Sequence, residues 1–415
     1  MTRHIRFQTG RQAFDIHEKS TLKDPWMKQD GNPEYESAGP GHGGRVSGVV
    51  VVVGGGIVGS YAAYFLSLIG MKVTLLDRFP VASKASGCNP GGLNPLHGPG
   101  LPGVMSPLAE RAYHLNLSHW ERVRMLSGKE FAPHLVSRVE LAFDEAEKSV
   151  LRATIPHYDS IEGFSARWMD RDELLALDSR INPAVVGGLW TEGNGMVDSR
   201  EYTRAVADAA VALGAIVRQA DVQGLVTVGS RVTGVVLKDE TLACDDVVIA
   251  TGSWAAEAGA WLNAEIPVSP LKGELLTARL AGAPADHHVT WKMIGVYQTL
   301  DGHCWFGGTQ EQAGFDEFPT KQGGGFILDS VSRLLPEAKN AEITDHMAAL
   351  RPMTPDGLPI IDRVPCWENA YVATGSGPKG MLVGAGMAEA VARLVAGQQP
   401  HFDLSPYRLD RFSTV

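Results

Sequence analysis

The sequence predicts an α/β fold in which a Rossmann-like nucleotide-binding domain is interleaved with an α+β domain built on a largely antiparallel sheet. Three observations lead to this prediction. A glycine-rich turn follows an apolar run at residues 50–59, strand-to-helix segments of the same kind recur far down the chain, and short β-rich segments separated by turns occupy residues 266–314. A chain of 415 residues is long enough for two such domains.

The first glycine turn belongs to a complete βαβ unit. The β-branched run Val50–Val53 leads into Gly54, Gly56 and Gly59, which have the Gly-x-Gly-x-x-Gly spacing, and a second apolar run ends at Asp77. In this motif the first glycine permits the tight turn, the second lets the backbone approach a pyrophosphate, and the third lets the helix pack closely on the strand. The N-terminus of the helix then offers unpaired N–H groups to the phosphates.

The acid at the end of the second strand indicates which dinucleotide is bound. A carboxylate at Asp77 can accept hydrogen bonds from a ribose diol and would repel a 2′-phosphate. The unit therefore predicts FAD or NAD rather than NADP. Ile57, Val58 and Arg78 flank these positions and are expected to contact the same ligand.

Composition argues against several classes of partner. The formal net charge is −10 and no long basic run is present, so nucleic acid is not an expected partner. The cysteines lie far apart, which argues against a disulfide framework or a metal site and favours a reducing cytoplasm. We recognise no secretory segment, and the long apolar region 49–69 is explained by the glycine turn, so no transmembrane span is expected.

The remaining elements follow from local composition and periodicity. Residues 1–47 form a polar extension with nearly balanced charges, which suggests a solvated or surface-draped tail or else an arm that docks a partner. A Gly/Pro-rich loop covers residues 85–103, and a loop of this length is usually functional. Apolar periodicity predicts helices at 107–126, 202–213 and 381–396, and apolar runs predict strands at 215–217, 222–228, 231–236, 246–252 and 371–374.

A second Gly-x-Gly-x-x-Gly spacing occurs at Gly375, Gly377 and Gly380. No strand with a terminal acid follows it, so it cannot be a second complete nucleotide unit. It is either a tight strand-to-helix turn or a helix N-terminus that stabilises negative charge on a ring ligand such as a reduced flavin. One complete unit with related pieces far along the chain is typical of a flavoprotein, in which distant loops close over FAD, and unlike a nicotinamide dehydrogenase.

Further segments, in the same order, resemble the D-amino-acid oxidase superfamily of FAD-dependent oxidoreductases. The matching segments are 54–59 with Asp77, 86–92, 195–198, 248–254, 270–274, 350–359 and 375–380. The nearest branch contains glycine oxidase, sarcosine oxidase and D-amino-acid dehydrogenase. The resemblance spans residues 48–412, leaves residues 1–47 unmatched, and is specific for the superfamily but not for a substrate.

The resemblance implies a discontinuous FAD-binding domain with the glutathione-reductase-like nucleotide fold. Its parts are expected at residues 48–104, 186–262 and 345–412, and those of the substrate domain at 105–185 and 263–344. The residues expected to contact FAD are Gly54, Gly56, Ile57, Val58, Gly59, Asp77, Arg78, Ser86, Asn89, Gly91, Gly92, Leu93, Val222, Thr251, Gly252, Trp254, Gly375, Gly377, Pro378, Lys379, Gly380 and Met381.

The activity that the resemblance implies is oxidation of the C–N bond of an amino acid or N-substituted glycine. Hydride passes to N5 of the flavin, water hydrolyses the resulting imine, and the protein supplies position and charge. Arg351 matches the arginine that grips the substrate carboxylate in this family, a task for which a planar guanidinium is suited. The alternative for Arg351 is a structural ion pair with Asp356 or Asp362.

Other candidate residues each have a plainer alternative. Tyr297 matches the substrate-domain sheet and would bond a carboxylate or amine, or else it is an aromatic residue at the edge of the core. Lys272 corresponds to a basic position near the flavin that would polarise O2 or hold a water, or it is a surface lysine. Lys379 would stabilise anionic reduced flavin. His97 and Cys88, in the flavin-facing loop, are expected to shape that loop rather than to react.

The mode of attachment and the partners are also expectations. Sarcosine-oxidase-like members attach FAD through a cysteine just before Arg351, and residues 346–350 contain none, so we expect non-covalent FAD. The expected partners are a small amine or amino acid, O2 or a quinone-type electron acceptor, and a homo-oligomer or partner subunit. The alternatives are a flavin-bearing subunit of a multi-subunit dehydrogenase that docks through residues 1–47, peripheral at the inner face of a membrane, a flavin-binding protein without turnover, and a nicotinamide dehydrogenase.

Overall fold

The computed structural model describes Arg45 and residues 47–412. Its strands are β1 (Val49–Val53), β2 (Lys72–Asp77), β3 (Gly92–Leu93), β4 (His134–Ala142), β5 (Ser165–Asp170), β6 (Gly187–Met196), β7 (Ile216–Gln219), β8 (Gly224–Val228), β9 (Arg231–Val236), β10 (Thr241–Ala243), β11 (Asp246–Ile249), β12 (Ser269–Arg279), β13 (His287–Trp291), β14 (Ile294–Gln298), β15 (Cys304–Gly307), β16 (Glu342–Met353), β17 (Ile360–Arg363) and β18 (Ala370–Thr374). Its α-helices are α1 (Ile57–Leu68), α2 (Ser106–Ser127), α3 (Glu145–Ala153), α4 (Ile155–Asp159), α5 (Arg171–Leu177), α6 (Ser199–Ala212), α7 (Ala255–Leu262), α8 (Lys321–Leu334) and α9 (Gly380–Val395).

The first sheet has the strand order β17-β18-β11-β1-β2-β7. All neighbours are parallel except β17 and β18. The valines of β1 face helices or loops on both sides and four of the five are buried, which explains their unbroken apolar run. Because β1, β2, β11 and β18 are parallel, their carboxyl ends meet at one edge, where ligands of open α/β sheets bind.

Helices α1, α2, α6 and α9 pack against one another beside this sheet. Polar groups link them inside the core: the hydroxyl of Tyr202 on α6 donates to Asn116 Oδ1 on α2 at 2.9 Å, and Asn116 Nδ2 donates to the carbonyl of Leu382 on α9 at 3.1 Å. The sequence assigned α2 to the substrate domain. Its contacts instead place it with the helices of the nucleotide-binding part.

The second sheet has the order β16-β12-β15-β14-β13-β4-β6-β3, and β5 pairs with β6. Neighbours are antiparallel apart from β13 and β4. Ile327 and Val331 of α8 pack with Val289, Val296 and Phe306 of the sheet in one buried cluster. The predicted boundary at residue 345 falls inside β16, which pairs along its length with β12, so residues 342–353 lie in this sheet.

A third, three-stranded antiparallel sheet has the order β10-β9-β8. The predicted helices at 107–126, 202–213 and 381–396 are confirmed, with ends displaced by up to three residues. The strand predicted at 222–228 begins at Gly224, and helix α8 was not predicted. Among the described residues no helix is long and apolar enough to cross a membrane. The extension at 1–47 lies outside the described residues except for Arg45 and Ser47.

Candidate active site

The first glycine turn brings strand β1 and helix α1 into close contact. Gly54 has φ +115°, and a Cβ there would lie 2.3 Å from the carbonyl oxygen of Ala250. A Cβ on Gly59 would lie 1.8 Å from the carbonyl oxygen of Gly54. Only glycine therefore fits either position. The N-terminus of α1 at Gly56 has no side-chain cap of its own, and the N–H of Ile57 donates to Ser86 Oγ at 2.9 Å.

Asp77 at the end of β2 lies against this turn. One of its carboxylate oxygens accepts the N–H of Gly55 at 2.6 Å, and the other accepts the N–H of Phe79 at 2.7 Å. Burial raises the pKa of Asp77, and these two backbone hydrogen bonds oppose that rise. The carboxylate keeps further lone pairs with which to accept hydroxyl groups.

The Gly/Pro-rich loop after β2 is held rigid by Asn89. Its Oδ1 accepts the N–H of Gly91 at 2.9 Å, its Nδ2 donates to the carbonyl of Ala85 at 2.9 Å, and its own carbonyl accepts the hydroxyl of Ser199 on α6 at 2.8 Å. The loop is thereby fixed over the N-terminus of α1.

The second glycine turn presents the N-terminus of helix α9 from the opposite side. Gly375 and Gly377 have φ values of +75° and +56°, which only glycine adopts readily. Lys379 in this turn donates from Nζ to the carbonyl oxygens of Asn94, at 3.3 Å, and of His97. Burial lowers the pKa of Lys379 to about 7, and the charge of Arg138 lowers it further while that of Glu140 raises it.

These segments line one continuous cleft. Most of the predicted residues line it. The exceptions are Gly59, Gly91, Leu93, Gly375 and Lys272. The glycines among them pack behind the lining: a Cβ on Gly91 would lie 1.8 Å from the carbonyl oxygen of Val197, and one on Gly375 would lie 2.5 Å from the methyl of Thr354. Leu93 is fully buried.

Arg351 projects into the cleft from β16. Burial lowers the pKa of its guanidinium, and Nη1 donates to the carbonyl of Thr309 at 3.0 Å. A Cβ on Gly273 would lie within 2.1–2.3 Å of the guanidinium atoms, so this glycine makes room for the arginine across β12. In the described part of the chain no carboxylate pairs with Arg351: Asp356 pairs with Arg411 instead.

Tyr297 lies beside this arginine in the same cleft. Its ring is 5.4 Å from that of His288, and Gly295 leaves the space in which it lies, because a Cβ there would be 2.5 Å from the ring. Burial raises the pKa of Tyr297 although the charges of Arg138 and Arg351 act in the opposite direction. The phenol is therefore protonated at neutral pH and can donate a hydrogen bond to a ligand.

Lys272 is buried and ion-paired outside the cleft lining, and is not a surface lysine. Its Nζ lies 2.9 Å from Asp316 and 3.5 Å from the fully buried Glu274. Glu274 also accepts the N–H and hydroxyl of Thr320, each at 3.0 Å, and pairs with His346 at 2.8 Å. This network ties the segment before α8 to the sheet that carries Arg351.

Replacement of Glu274 should destabilise the protein in a pH-dependent way. Burial alone would raise its pKa, but hydrogen bonds from Thr320 and His346 and the charge of Lys272 hold the pKa below its ordinary value. The carboxylate therefore stabilises the fold above about pH 4.5, and this contribution is lost as the pH falls through its folded-state pKa. Glu274→Gln should cost about 3 kcal/mol in urea unfolding at pH 7. Asp316→Asn, at the exposed partner, should cost much less, and equal losses would contradict the assignment.

Several cleft residues had no recognisable sequence motif. Arg138 on β4, Thr290 on β13, and Lys292 and Met293 in the β13–β14 turn all line the cleft. Their strands could be placed from composition only coarsely, and a single charged residue in a strand carries no spacing signal. His97 and Cys88 do line the cleft, as their place in the loop suggested.

The cleft fits FAD. Two helix N-termini approach it through turns in which a Cβ would fill the available space, at Gly54 and Gly56, and the hydroxyl of Thr251 is buried without a hydrogen-bond partner where it lines the cleft. An anionic pyrophosphate and a polar ring edge are the groups that such donors accept. The bound group would thus run from the acid of β2 towards the sheet that carries Arg351.

A nucleotide cleft that opens onto an antiparallel sheet with a buried, unneutralised arginine defines a dinucleotide-dependent oxidoreductase. Comparison with known proteins gives the family. The chain belongs to the DAO family of FAD-dependent oxidoreductases, whose family model, described as FAD dependent oxidoreductase, matches residues 50–394. The resemblance seen in the sequence is confirmed, and the enzyme depends on FAD.

Individual relatives cover nearly the whole chain. A glycine oxidase of Pseudomonas aeruginosa is 28% identical over 373 residues, which are 86% of this chain and 97% of the relative. A D-amino acid dehydrogenase of Paramagnetospirillum magneticum is 28% identical over 423 residues, covering 88% and 99%. The crystal structure of glycine oxidase from Geobacillus kaustophilus superposes with a TM-score of 0.83 at 26% identity, covering 89% of this chain and all of that one. The predicted fold class is confirmed.

FAD should be released when the protein is unfolded. Residues 346–350 contain no cysteine, and burial raises the pKa of the cleft-lining Cys88, which disfavours the thiolate that attachment would need. Precipitation with trichloroacetic acid should leave all of the yellow colour in the supernatant. Colour retained in the washed pellet would contradict this prediction, and a Cys88→Ser variant would then show whether that residue is the attachment point.

Proposed function

We propose that this enzyme oxidises the C–N bond of an amino acid or N-substituted glycine to an imine, which water then hydrolyses to an oxo acid and ammonia or an amine. The observation that carries the proposal is the buried guanidinium of Arg351, which has no carboxylate partner among the described residues and lines the same cleft as the two glycine turns. The names of the relatives, which act on glycine and D-amino acids, support the same substrate class.

The chain's own residues orient the substrate. Arg351 binds the carboxylate, and its hydrogen bond to the carbonyl of Thr309 fixes the guanidinium plane. Tyr297, protonated because burial raises its pKa, donates to the carboxylate or accepts from the amine. Together they hold the Cα–H and the nitrogen in one orientation, which supplies much of the rate enhancement. FAD, when bound, supplies the acceptor for the hydride at N5.

Contacts to FAD are proposed for the residues that line the cleft. The turn at Gly54 and Gly56 would hold the pyrophosphate and Asp77 the adenosine ribose, while the second turn, at Gly377 and Lys379, would face the ring. Asp77 is fixed by the N–H groups of Gly55 and Phe79, which supports a role as an acceptor for hydroxyl groups.

Anaerobic titration tests the proposed function. The purified holoenzyme is mixed with D-amino acids, N-methylglycines, cyclic imino acids and amines that lack a carboxylate, and the flavin absorbance near 450 nm is followed. Bleaching by a carboxylated amine, with formation of the matching oxo acid, is the expected result. Bleaching only by amines without a carboxylate, or by none of these compounds, would overturn the proposal.

We further infer that the electrons leave to O2 or to a quinone-type acceptor. Relatives named oxidase and relatives named dehydrogenase both support this pair of acceptors. Turnover with hydrogen peroxide formation distinguishes the first acceptor, and turnover only with a soluble quinone distinguishes the second. Size-exclusion chromatography of native extract reports whether the chain runs alone or self-associated, or instead with a second type of subunit, as the alternative of a larger complex would require.

A further inference from the structure

A second buried guanidinium, that of Arg138 on β4, lines the same cleft as Arg351. The sheet order β16-β12-β15-β14-β13-β4 places Tyr297, on β14, between the two arginines. We propose that the substrate is an amino acid with a second acidic group, which Arg138 binds while Arg351 binds the first. This inference rests on the proposed function and adds the chemical class of the substrate.

Arg138 is buried but its donors are not all used. Its side chain is 12% exposed, Nη2 donates to the hydroxyl of Tyr158 at 3.2 Å, and Nη2 lies 3.5 Å from Glu140 Oε2. Nε is buried without a hydrogen-bond partner, and no described residue accepts from Nη1. A guanidinium carries five N–H donors and is stabilised when they are paired. The unused donors beside a cleft therefore indicate an acceptor that arrives with the substrate.

The charges around Arg138 leave this end of the cleft positive. Glu140 lies close, but burial raises its pKa and its Oε2 accepts no hydrogen bond, so it compensates the arginine through charge alone. His97 lies 3.2 Å from Glu140, and burial lowers the pKa of His97 to about 2, so the imidazole is neutral. Lys379 adds a cation in the part of its population that is protonated. An incoming acid is attracted to such a site.

The spacing of the two arginines suits a short diacid. The Arg351 guanidinium lies over Gly273 on β12, four strands from β4. At about 4.8 Å per strand, the two guanidinium groups are separated by roughly 19 Å along a flat sheet, and less once twist and the inward reach of both side chains are included. Each charge-assisted hydrogen bond takes up about 3 Å. A spacer of several atoms between the two acids bridges what remains.

The wild-type holoenzyme tests this inference without any variant. Each acid is compared with its amide: aspartate with asparagine and glutamate with glutamine, in both enantiomers, and iminodiacetate with N-(carbamoylmethyl)glycine; 2-aminoadipate extends the series. The initial rate of anaerobic flavin bleaching gives kcat/KM. We expect at least one acid to exceed its amide by about 100-fold, because a site with unpaired donors rejects the analogue that leaves them unpaired. The preferred member distinguishes a second acid on the side chain from one on the nitrogen.

A pair of variants assigns the effect to Arg138. Arg138→Gln should lower kcat/KM for the preferred acid about 100-fold and change that for its amide less than threefold. Arg167→Gln, at an exposed arginine on β5, is the matched control and should change neither. Calorimetric titration with glutarate, which lacks an amine, should show binding to the wild type that Arg138→Gln weakens. If amides and acids react equally in the wild type, the inference is wrong while the proposed function stands. If none of these compounds bleaches the flavin, both fail.

Discussion

Replacing Arg351 with alanine should lower kcat/KM for carboxylated amines by roughly 100- to 1,000-fold. The guanidinium is buried, its pKa is lowered by burial, and among the described residues it has a backbone carbonyl but no carboxylate as a partner. A substrate carboxylate therefore supplies the missing charge, and its removal leaves that carboxylate unpaired inside the cleft. Steady-state kinetics with the best substrate from the anaerobic titration measure the loss, which should fall mainly on KM if the arginine holds ground state and transition state equally.

Two controls separate carboxylate binding from folding. Arg279→Ala removes an arginine from β12 in the same sheet but outside the cleft lining, and should leave kcat/KM unchanged. An amine without a carboxylate, if it reacts at all, should react with Arg351→Ala as well as with the wild type. Arg351→Lys should restore part of the activity, since a lysine keeps the charge but not the planar pair of donors. A KM for carboxylated substrates that barely moves in Arg351→Ala would show that the assignment is wrong.

The nucleotide-binding part of the fold could be predicted because its signals are local. The valines of β1, the glycines at positions 54, 56 and 59 and the acid at the end of β2 each reflect a constraint that acts within a few residues. The same is true of α9, which follows a turn with two glycines at positive φ. Constraints of this kind remain visible without knowledge of what packs against them.

The substrate side could be predicted only in outline, because its order is set by contacts between distant strands. Helix α8 begins with Gly323, Gly324 and Gly325, which disfavour a helix in isolation. It forms because Thr320 caps it and because Ile327 and Val331 are buried against the sheet. Helix propensity is overridden here by tertiary packing, and a sequence does not show such packing by its spacing.

The interpretation of Lys272 illustrates the same difference at the level of one residue. Its neighbours in sequence match the family segment, and the residue after it, Gly273, does line the cleft. Successive residues of a strand point to opposite faces, so a side chain one position away can be turned from the site. Lys272 pairs with Asp316 and Glu274 behind the lining, and a role near the flavin is better sought in Lys379, which lines the cleft.

Replacing Gly59 with alanine should abolish retention of FAD. The added Cβ would lie 1.8 Å from the carbonyl oxygen of Gly54 and 3.0 Å from its carbonyl carbon, and both atoms are backbone that cannot turn aside like a side chain. Either α1 moves away from β1 or the turn at Gly54 changes shape, and in both cases the N–H groups of the helix N-terminus no longer converge on a pyrophosphate. We expect a loss of stability of roughly 3 kcal/mol or more and a flavin content below a tenth of the wild type.

The ratio of flavin to protein absorbance after purification, together with urea unfolding followed by circular dichroism, measures both effects. Gly325→Ala is the matched control, because Gly325 lies in helix α8, is exposed, and has nothing within 4 Å of the added Cβ. That variant should keep its flavin and gain about 0.5–1 kcal/mol, since alanine is the better helix former. A Gly59→Ala protein that folds and retains full flavin would show that the contact between α1 and β1 yields, so that the close approach at this turn is not what holds the cofactor.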